Sequence, residues 1–356
     1  VSWAPGWSAG RRAGQLGAGL VSWAPGWSTG RRASWRGAGP VSGALAHRVA
    51  GLVSRALAHR GAGLAGAGRR LVAVRIDPHT HSSCSDGTDT PAELMAAAAR
   101  AGLDVVGLTD HDTTDGWAEA AAAVGPTGVT LLRGTEISCA ADGVTLHLLA
   151  YLFDPADPDL VRSLARSRSS RATRARDMVE RLAEDYPVTW QDVLDQAGGA
   201  VTIGRPHIAD ALVAAGSFPD RSAAFAGPLA TSSPYYVHHW ALDPVEACVL
   251  VRAAGGVPVA AHPRAATRQR RLVPDETFAA MAEAGLAALE VDHRDHGPAQ
   301  REAAHRLARR LGLGESGSSD YHGTGKPNRL GENLMPPALL EQIVAEGRLA
   351  LVTPAD

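Results

Sequence analysis

Residues 71–81, Leu-Val-Ala-Val-Arg-Ile-Asp-Pro-His-Thr-His, decide how the chain is read, because a short apolar, β-branched run passes directly into the cluster Asp77-Pro78-His79-Thr80-His81. The form recurs. Residues 104–108 run into Thr109-Asp110-His111-Asp112, residues 129–132 into Gly134-Thr135-Glu136, and residues 256–261 into His262-Pro263. Residues 286–291 lead to Asp292-His293, and the segment near Gly314 leads to Ser319-Asp320-Tyr321-His322. Between them, residues 91–101 and 116–124 read as alanine-rich helices, the first opened by Thr90, Pro91 and Glu93 and stopped by Gly102. Short strands alternating with helices predict an α/β fold of parallel strands and crossover connections. In a barrel of that kind the carboxyl ends of the strands gather side chains from distant positions, so the clusters are expected to form one site.

The 356 residues are 45% hydrophobic and 20% charged, enough for one large domain or two smaller ones. No run of eighteen apolar residues occurs, which excludes a transmembrane helix and membrane partners of that kind. Cys84, Cys139 and Cys248 form no C-x-x-C pair, which leaves neither a disulfide framework nor a cysteine zinc finger and suits a reducing, cytoplasmic setting. The net charge of −2 hides an asymmetry: eleven arginines and no acid precede Asp77, and 24 basic and 37 acidic residues follow. Five of the eight tryptophans lie in the first forty residues, where residues 21–28 repeat residues 1–8. Two copies of a twenty-residue unit are too few for a solenoid, and residues 1–70 read as a low-complexity, basic, disordered tail. A transit peptide, a basic RNA-binding arm and a wrongly chosen start codon are the other readings of that segment.

His79 and His81 are two apart, so in extended backbone both imidazoles project from one face and can reach one cation. Each candidate alone is a weak signal. Together His79, His81, Asp86, His111, Glu136, His147, His262, Asp320 and His322 exceed what one tetrahedral zinc needs. Imidazole and carboxylate without thiolate suit manganese, iron or zinc. Ions about 3.5–4 Å apart lower the pKa of a water between them and hold phosphate oxygens during in-line attack, which points to metal-assisted phosphoester hydrolysis.

The four clusters at Asp77–His81, Thr109–Asp112, Ala261–Pro263 and Ser319–His322 resemble the four motifs of the polymerase-and-histidinol-phosphatase (PHP) superfamily of metal-dependent phosphoesterases, over about residues 73–354. The resemblance implies a distorted (β/α)7 barrel with an inserted, mostly helical cap and a site for three divalent ions, manganese foremost and iron or zinc next. It implies one ion on His79, His81, Glu136 and Asp320, a second on Glu136, His147 and His262, and a third on Asp86, His111 and His322. Asp110 and Asp112 would orient imidazoles from behind.

The strand rhythm is interrupted over residues 155–236, which divides the body into barrel segments 71–154 and 237–356 with the cap between them. Leu160, Val161, Leu164, Met178, Val179 and Leu182 show helical spacing, and seven arginines fall between Arg162 and Arg181, as a solvated face or as a basic surface facing an anionic substrate. Gly204-Arg205-Pro206-His207-Ile208-Ala209 resembles the R-P-H-I-A motif of a PHP branch that hydrolyses the 3′-phosphate of nucleoside 3′,5′-bisphosphates and acts 5′ to 3′ on short 5′-phosphorylated RNA. By this resemblance Arg205 would fork a phosphate and His207 would contact the scissile group or assist the leaving oxygen. Arg264 and Lys326, the sole lysine, are further anion-binding candidates. The expected enzyme is thus a phosphoric ester hydrolase with a nucleotide or short RNA as substrate and no obligate protein partner. Histidinol-phosphate phosphatase, a silent PHP binding module and a zinc amidohydrolase on a similar barrel are the competing readings. His238 and His239 receive no assigned role, His293 and His296 lie beyond a strand end and read as groups behind the metal donors or as solvent-facing residues and not as ligands, and Cys84 reads as a small buried residue.

Overall fold

The structure, a computed structural model, describes residues 74–267 and 271–354. The basic segment 1–70 and the start of the strand expected over residues 71–76 lie outside the described residues. Among the described residues no helix is long and apolar enough to cross a membrane.

Seven strands form one sheet whose spatial order follows the sequence: β1 (Ile76–Thr80), β2 (Val105–Leu108), β3 (Thr130–Ala141), β4 (Val144–Tyr151), β5 (Val257–Ala261), β6 (Ala288–Asp292) and β7 (Gly314–Gly317). A parallel bridge between Thr80 and Tyr321, with the His81 N–H donating to the Tyr321 carbonyl at 2.8 Å, draws the end of β1 to the chain leaving β7. Asp77 reinforces this closure by accepting from the backbone N–H groups of Ser319 and Gly331. The architecture is the α/β barrel expected from the sequence, except at one strand: β4 runs antiparallel to both neighbours, while the other pairs are parallel. The cause is local. Asp142 and Gly143 form a two-residue turn with φ of 48° and 75°, and a turn with both central φ values positive matches the twist of a tight hairpin.

The clusters also shift relative to the strands. Asp77 and His79 lie inside β1, and Glu136 lies in the middle of the long β3, whereas His262, His293 and Asp320 follow strand ends as expected. Gly107 of β2 has no room for a side chain, since a Cβ there would sit 1.9 Å from the Pro78 carbonyl oxygen, and this lets β1 and β2 close tightly.

Helix α1 (Pro91–Arg100) starts at a capping box in which the Thr90 hydroxyl accepts from the Glu93 N–H and the Glu93 carboxylate accepts from the Thr90 N–H. It packs Leu94, Met95 and Ala98 on the sheet, next to Val124 of α2 (Trp117–Thr127). Between β4 and β5 the chain forms α3 (Pro158–Leu182), α4 (Trp190–Ala197), α5 (Arg205–Ala214) and α6 (Arg221–Ala226), which share a separate apolar core including Met178, Val179, Leu182, Val193, Ile208 and Leu212. This is the inserted, mostly helical segment. Helices α7 (Pro244–Ala253), α8 (Asp275–Glu283), α9 (Pro298–Leu311) and α10 (Pro337–Glu346) complete the outer layer, and Leu339, Leu340 and Ile343 of α10 join Ile76, Val105, Leu149 and Val257 in another cluster.

The inserted helices are pinned to the barrel rim. Val201 N–H donates to the Cys84 carbonyl, the Thr202 hydroxyl donates to the His111 carbonyl at 2.6 Å, and Arg221 reaches the Asp86 carbonyl at 3.3 Å. The insertion therefore holds the two turns that carry Asp86 and His111.

Candidate metal centre

The extended backbone at the end of β1 and just beyond it brings His79 and His81 together, with their Nε2 atoms 3.0 Å apart. Three groups of donors converge around them: His79, His81, Glu136 and Asp320; His81, Asp86, His111 and His322; and His111, Glu136 and His147. Within each group the ligand atoms lie within 4.8 Å of one another, and His147 alone is only partly buried. His262 joins through its Nε2, 3.2 Å from Glu136 Oε1. All nine expected donors are thus brought together.

Glu136 is the hub. Its Oε1 faces His147 at 2.7 Å and His262 at 3.2 Å, and its Oε2 faces His81 and His111 at 3.1 Å and His79 at 3.4 Å. Two oxygens turned to two sets of imidazoles suit a carboxylate that bridges cations. Burial alone would raise its pKa, but His147, His111 and His79 outweigh that and hold it well below the usual range. Asp86 is held low in the same way by His322 and His111. Burial opposes protonation of His81, yet Asp320, Glu136 and Asp86 push it up to about 9, while burial and Lys326 bring His322 down to about 4.

These donors fit divalent cations on an observation beyond their number. His111 Nδ1 and His322 Nε2 are buried without a hydrogen-bond partner although carboxylate oxygens lie 3.1 and 3.2 Å away. His322 Nδ1 faces the Asp320 carbonyl, so its Nε2 carries a lone pair with no proton donor to satisfy it, and nitrogen and oxygen donors without thiolate suit a divalent ion. Backbone strain marks the same place, since His262 and Asp320 adopt φ of 30° and 52°.

The groups behind the donors differ from expectation. Asp110 touches no imidazole and instead accepts from Ser82 N–H and from the Ser82 and Ser85 hydroxyls, which shapes the turn carrying Asp86. Asp112 accepts from the Ser138 backbone and hydroxyl. The carboxylate that does orient an imidazole is Glu290 of β6, 3.0 Å from His79 Nδ1, whose other oxygen accepts the His262 N–H at 2.8 Å. Sequence reasoning passed over Glu290, although a charged residue inside the apolar run Ala-Leu-Glu-Val was the available signal.

A second, cationic cluster adjoins the first. Arg171 donates to the Ser138 hydroxyl at 2.6 Å and lies 3.5 Å from Asp112, and Arg174 meets His239 Nδ1 at 3.3 Å. Arg205 donates to the Leu229 carbonyl and lies over the rings of Phe225 and Tyr236. Arg171 and Arg174 are 7% and 5% exposed, each with an Nε atom lacking a partner. Burial, then Arg205 and Arg171, bring the Arg174 pKa down to about 9, and burial with Arg174, Arg171 and Arg205 takes His239 to about 2. Arg171 and Arg174 were legible as charges interrupting the buried stripe Leu160, Leu164, Ser167, Ala175, Met178 and Leu182 of α3.

The other expected contacts divide. His207 Nδ1 accepts the Gly204 N–H at 3.1 Å, so in the neutral ring the proton sits on Nε2, and burial favours that neutral form. Lys326 Nζ lies 3.1 Å from Asp320 Oδ2, at the donor cluster. Arg264 is turned away: its guanidinium contacts Asp275 and the Val273 carbonyl and packs over Phe278. His296 is structural, accepting from Arg264 N–H and donating to the Val291 carbonyl.

Comparison with known proteins agrees with this geometry. Residues 77–189 match the model of the PHP domain. The chain is 33% identical to a 3′,5′-nucleoside bisphosphate phosphatase of Chromobacterium violaceum over 283 residues, 79% of this chain and 99% of the relative. It is 31% identical to a 5′-3′ exoribonuclease of Haemophilus influenzae, over 73% of this chain and 94% of the relative. A Bifidobacterium adolescentis structure assigned as a metal-dependent phosphoesterase superposes with a TM-score of 0.75 at 46% identity, covering 78% of this chain and 97% of that one. A barrel rim that gathers six imidazoles and three carboxylates, with relatives matched along nearly their whole length, identifies the chain as a member of the PHP family and a phosphoric ester hydrolase.

Proposed function

We propose that this protein removes the 3′-phosphate from nucleoside 3′,5′-bisphosphates, using three divalent ions, with manganese preferred. His79, His81, Glu136 and Asp320 would hold one ion, Glu136, His147 and His262 a second, and Asp86, His111 and His322 a third. Such ions polarise phosphoryl oxygens and make water a nucleophile near neutral pH.

The observation that carries the substrate choice is the arginine cluster. Arg171, Arg174 and Arg205 lie together, and among the described residues neither Arg174 nor Arg205 has a carboxylate partner. Buried like charges of this kind call for an anion, and a terminal phosphate dianion meets several guanidinium groups at once. A substrate with two phosphates can place one at the donor cluster and the other among the arginines, which fixes its orientation. His207 would donate from Nε2 to the scissile group or the departing 3′ oxygen, and Lys326 would exchange Asp320 for a phosphate oxygen. Short 5′-phosphorylated RNA presents the same two features, a terminal phosphate and a neighbouring 3′ ester, and is the second substrate of this reading. Three free thiols, two of them buried, accord with the reducing cytoplasm.

Incubation of the manganese-loaded protein with adenosine 3′,5′-bisphosphate or with histidinol phosphate tests the proposal. Inorganic phosphate and adenosine 5′-monophosphate from the bisphosphate are expected. Faster turnover of histidinol phosphate, or no phosphate from either with metal bound, would contradict it.

A further inference from the structure

We infer that His293 is a positioning residue whose Nε2–H steadies Asp320 Oδ2, so that Asp320 Oδ1 stays turned toward His79 and His81. The inference rests on the reading of the donor cluster as a metal centre. His293 follows β6, is fully buried, and has no place in the donor groups already described.

Its tautomer follows from its neighbours. The Asp295 backbone N–H can only donate, and it lies 3.0 Å from His293 Nδ1, so Nδ1 must offer its lone pair and the proton must sit on Nε2. An imidazolium, protonated on both nitrogens, could not accept that bond. Nε2 is buried without a hydrogen-bond partner, 3.6 Å from Asp320 Oδ2. An approach of about 0.5 Å would make this a hydrogen bond.

Two of the expected metal donors show the opposite arrangement. His79 Nδ1 faces Glu290 at 3.0 Å and His322 Nδ1 faces the Asp320 carbonyl at 2.8 Å, so both rings donate from Nδ1 and direct an Nε2 lone pair inward. His293 therefore presents a proton to the cluster where they present lone pairs. That excludes it as a tenth ligand in this tautomer and makes it a donor to a ligand.

Asp320 has reason to need such a donor. Its φ of 52° is strained, its Oδ1 lies 3.5 Å from His79 and 3.4 Å from His81, and a rotation of the carboxylate would spoil that alignment. Lys326 also reaches Oδ2, but its side chain is 31% exposed and suited to leave for a phosphate. His293 is enclosed between the rings of His262 and His296, at centroid distances of 5.2 and 5.6 Å, and stays in place.

The test is manganese binding to the metal-stripped full chain by equilibrium dialysis, with melting temperature as a check on folding. Outer partners of metal ligands typically contribute 10–100-fold in affinity. His293→Leu is expected to weaken the affinity of one ion by about that factor, and excess manganese should restore most of kcat. His293→Gln, whose amide N–H can reach the Nε2 position, should retain affinity, whereas His293→Asn, which ends near the Nδ1 position, should not. His293→Asn serves as the loss variant if the leucine variant fails to fold. Wild-type affinity in the loss variants, or equal weakening in His293→Gln, would overturn the role. A wild-type chain that binds no manganese would instead overturn the metal centre itself.

Discussion

Two buried charge clusters lie side by side in this protein and are built in opposite ways. At the barrel rim six imidazoles and three carboxylates interleave, so each carboxylate is offset by neighbouring rings even before a cation arrives. In the helical insertion three arginines meet a histidine held neutral and two aromatic rings, with Asp112 beside Arg171 as the nearby acid. The first cluster is a preorganised receptor for positive charge. The second carries a charge imbalance that a phosphate dianion would relieve, and in the proposed function it supplies affinity and orientation instead of chemistry.

The comparison can be broken most sharply at the rim. Asp320→Ala should reduce turnover beyond the ~100-fold seen when only a ligand's support is lost. Metal analysis should show the bound ion count falling, while binding of adenosine 5′-monophosphate to the metal-free arginine cluster persists. Full activity with full metal content would remove Asp320 from the centre. Between the two clusters, His207→Ala should lower kcat by about 100-fold or more with little change in KM, as expected for a group that helps the leaving oxygen. An unchanged kcat would reduce His207 to packing.

In the insertion, Arg174→Gln should raise KM for a bisphosphate by about 10- to 100-fold, the worth of a charge-assisted hydrogen bond of about 1.5–3 kcal/mol. The sign of its effect on stability is opposite. A buried cation whose folded pKa lies near 9, below its unfolded value, destabilises the fold at all pH values below about 9. Removing it should therefore raise the melting temperature of the ligand-free protein at pH 7, by about 2–4 °C for each kcal/mol relieved. A lower melting temperature with unchanged KM would mean that Arg174 is simply part of the helical core. The smallest effect is expected at Arg264→Ala. Its guanidinium is tied to Asp275 and packed over Phe278, so calorimetry should show a loss of stability without any change in KM.

The barrel and its ligand cluster were legible because most strands carry chemically conspicuous residues within them or just after them, and so many such residues together outweigh the weakness of each one alone. The reversal of β4 was written in Asp142-Gly143, a hairpin signal masked by the prevailing βα rhythm. Glu290 was signalled only as a charge in an apolar strand and His293 only as a histidine beyond a strand end; what each touches comes from register, which brings β6 beside β5 and β7. Within α3 the buried stripe singles out Arg171 and Arg174 from the seven arginines, but that they meet Arg205 and His239 depends on how α3 packs against β3 and α5.

The most direct test of the account is the ratio of kcat/KM for adenosine 3′,5′-bisphosphate over adenosine 3′-monophosphate, measured in the manganese-loaded wild type and in Arg174→Gln. The two-cluster account predicts a strong preference for the bisphosphate in the wild type that collapses toward parity in the variant, with the 3′-monophosphate reaction unchanged. Equal ratios in the two proteins would contradict it.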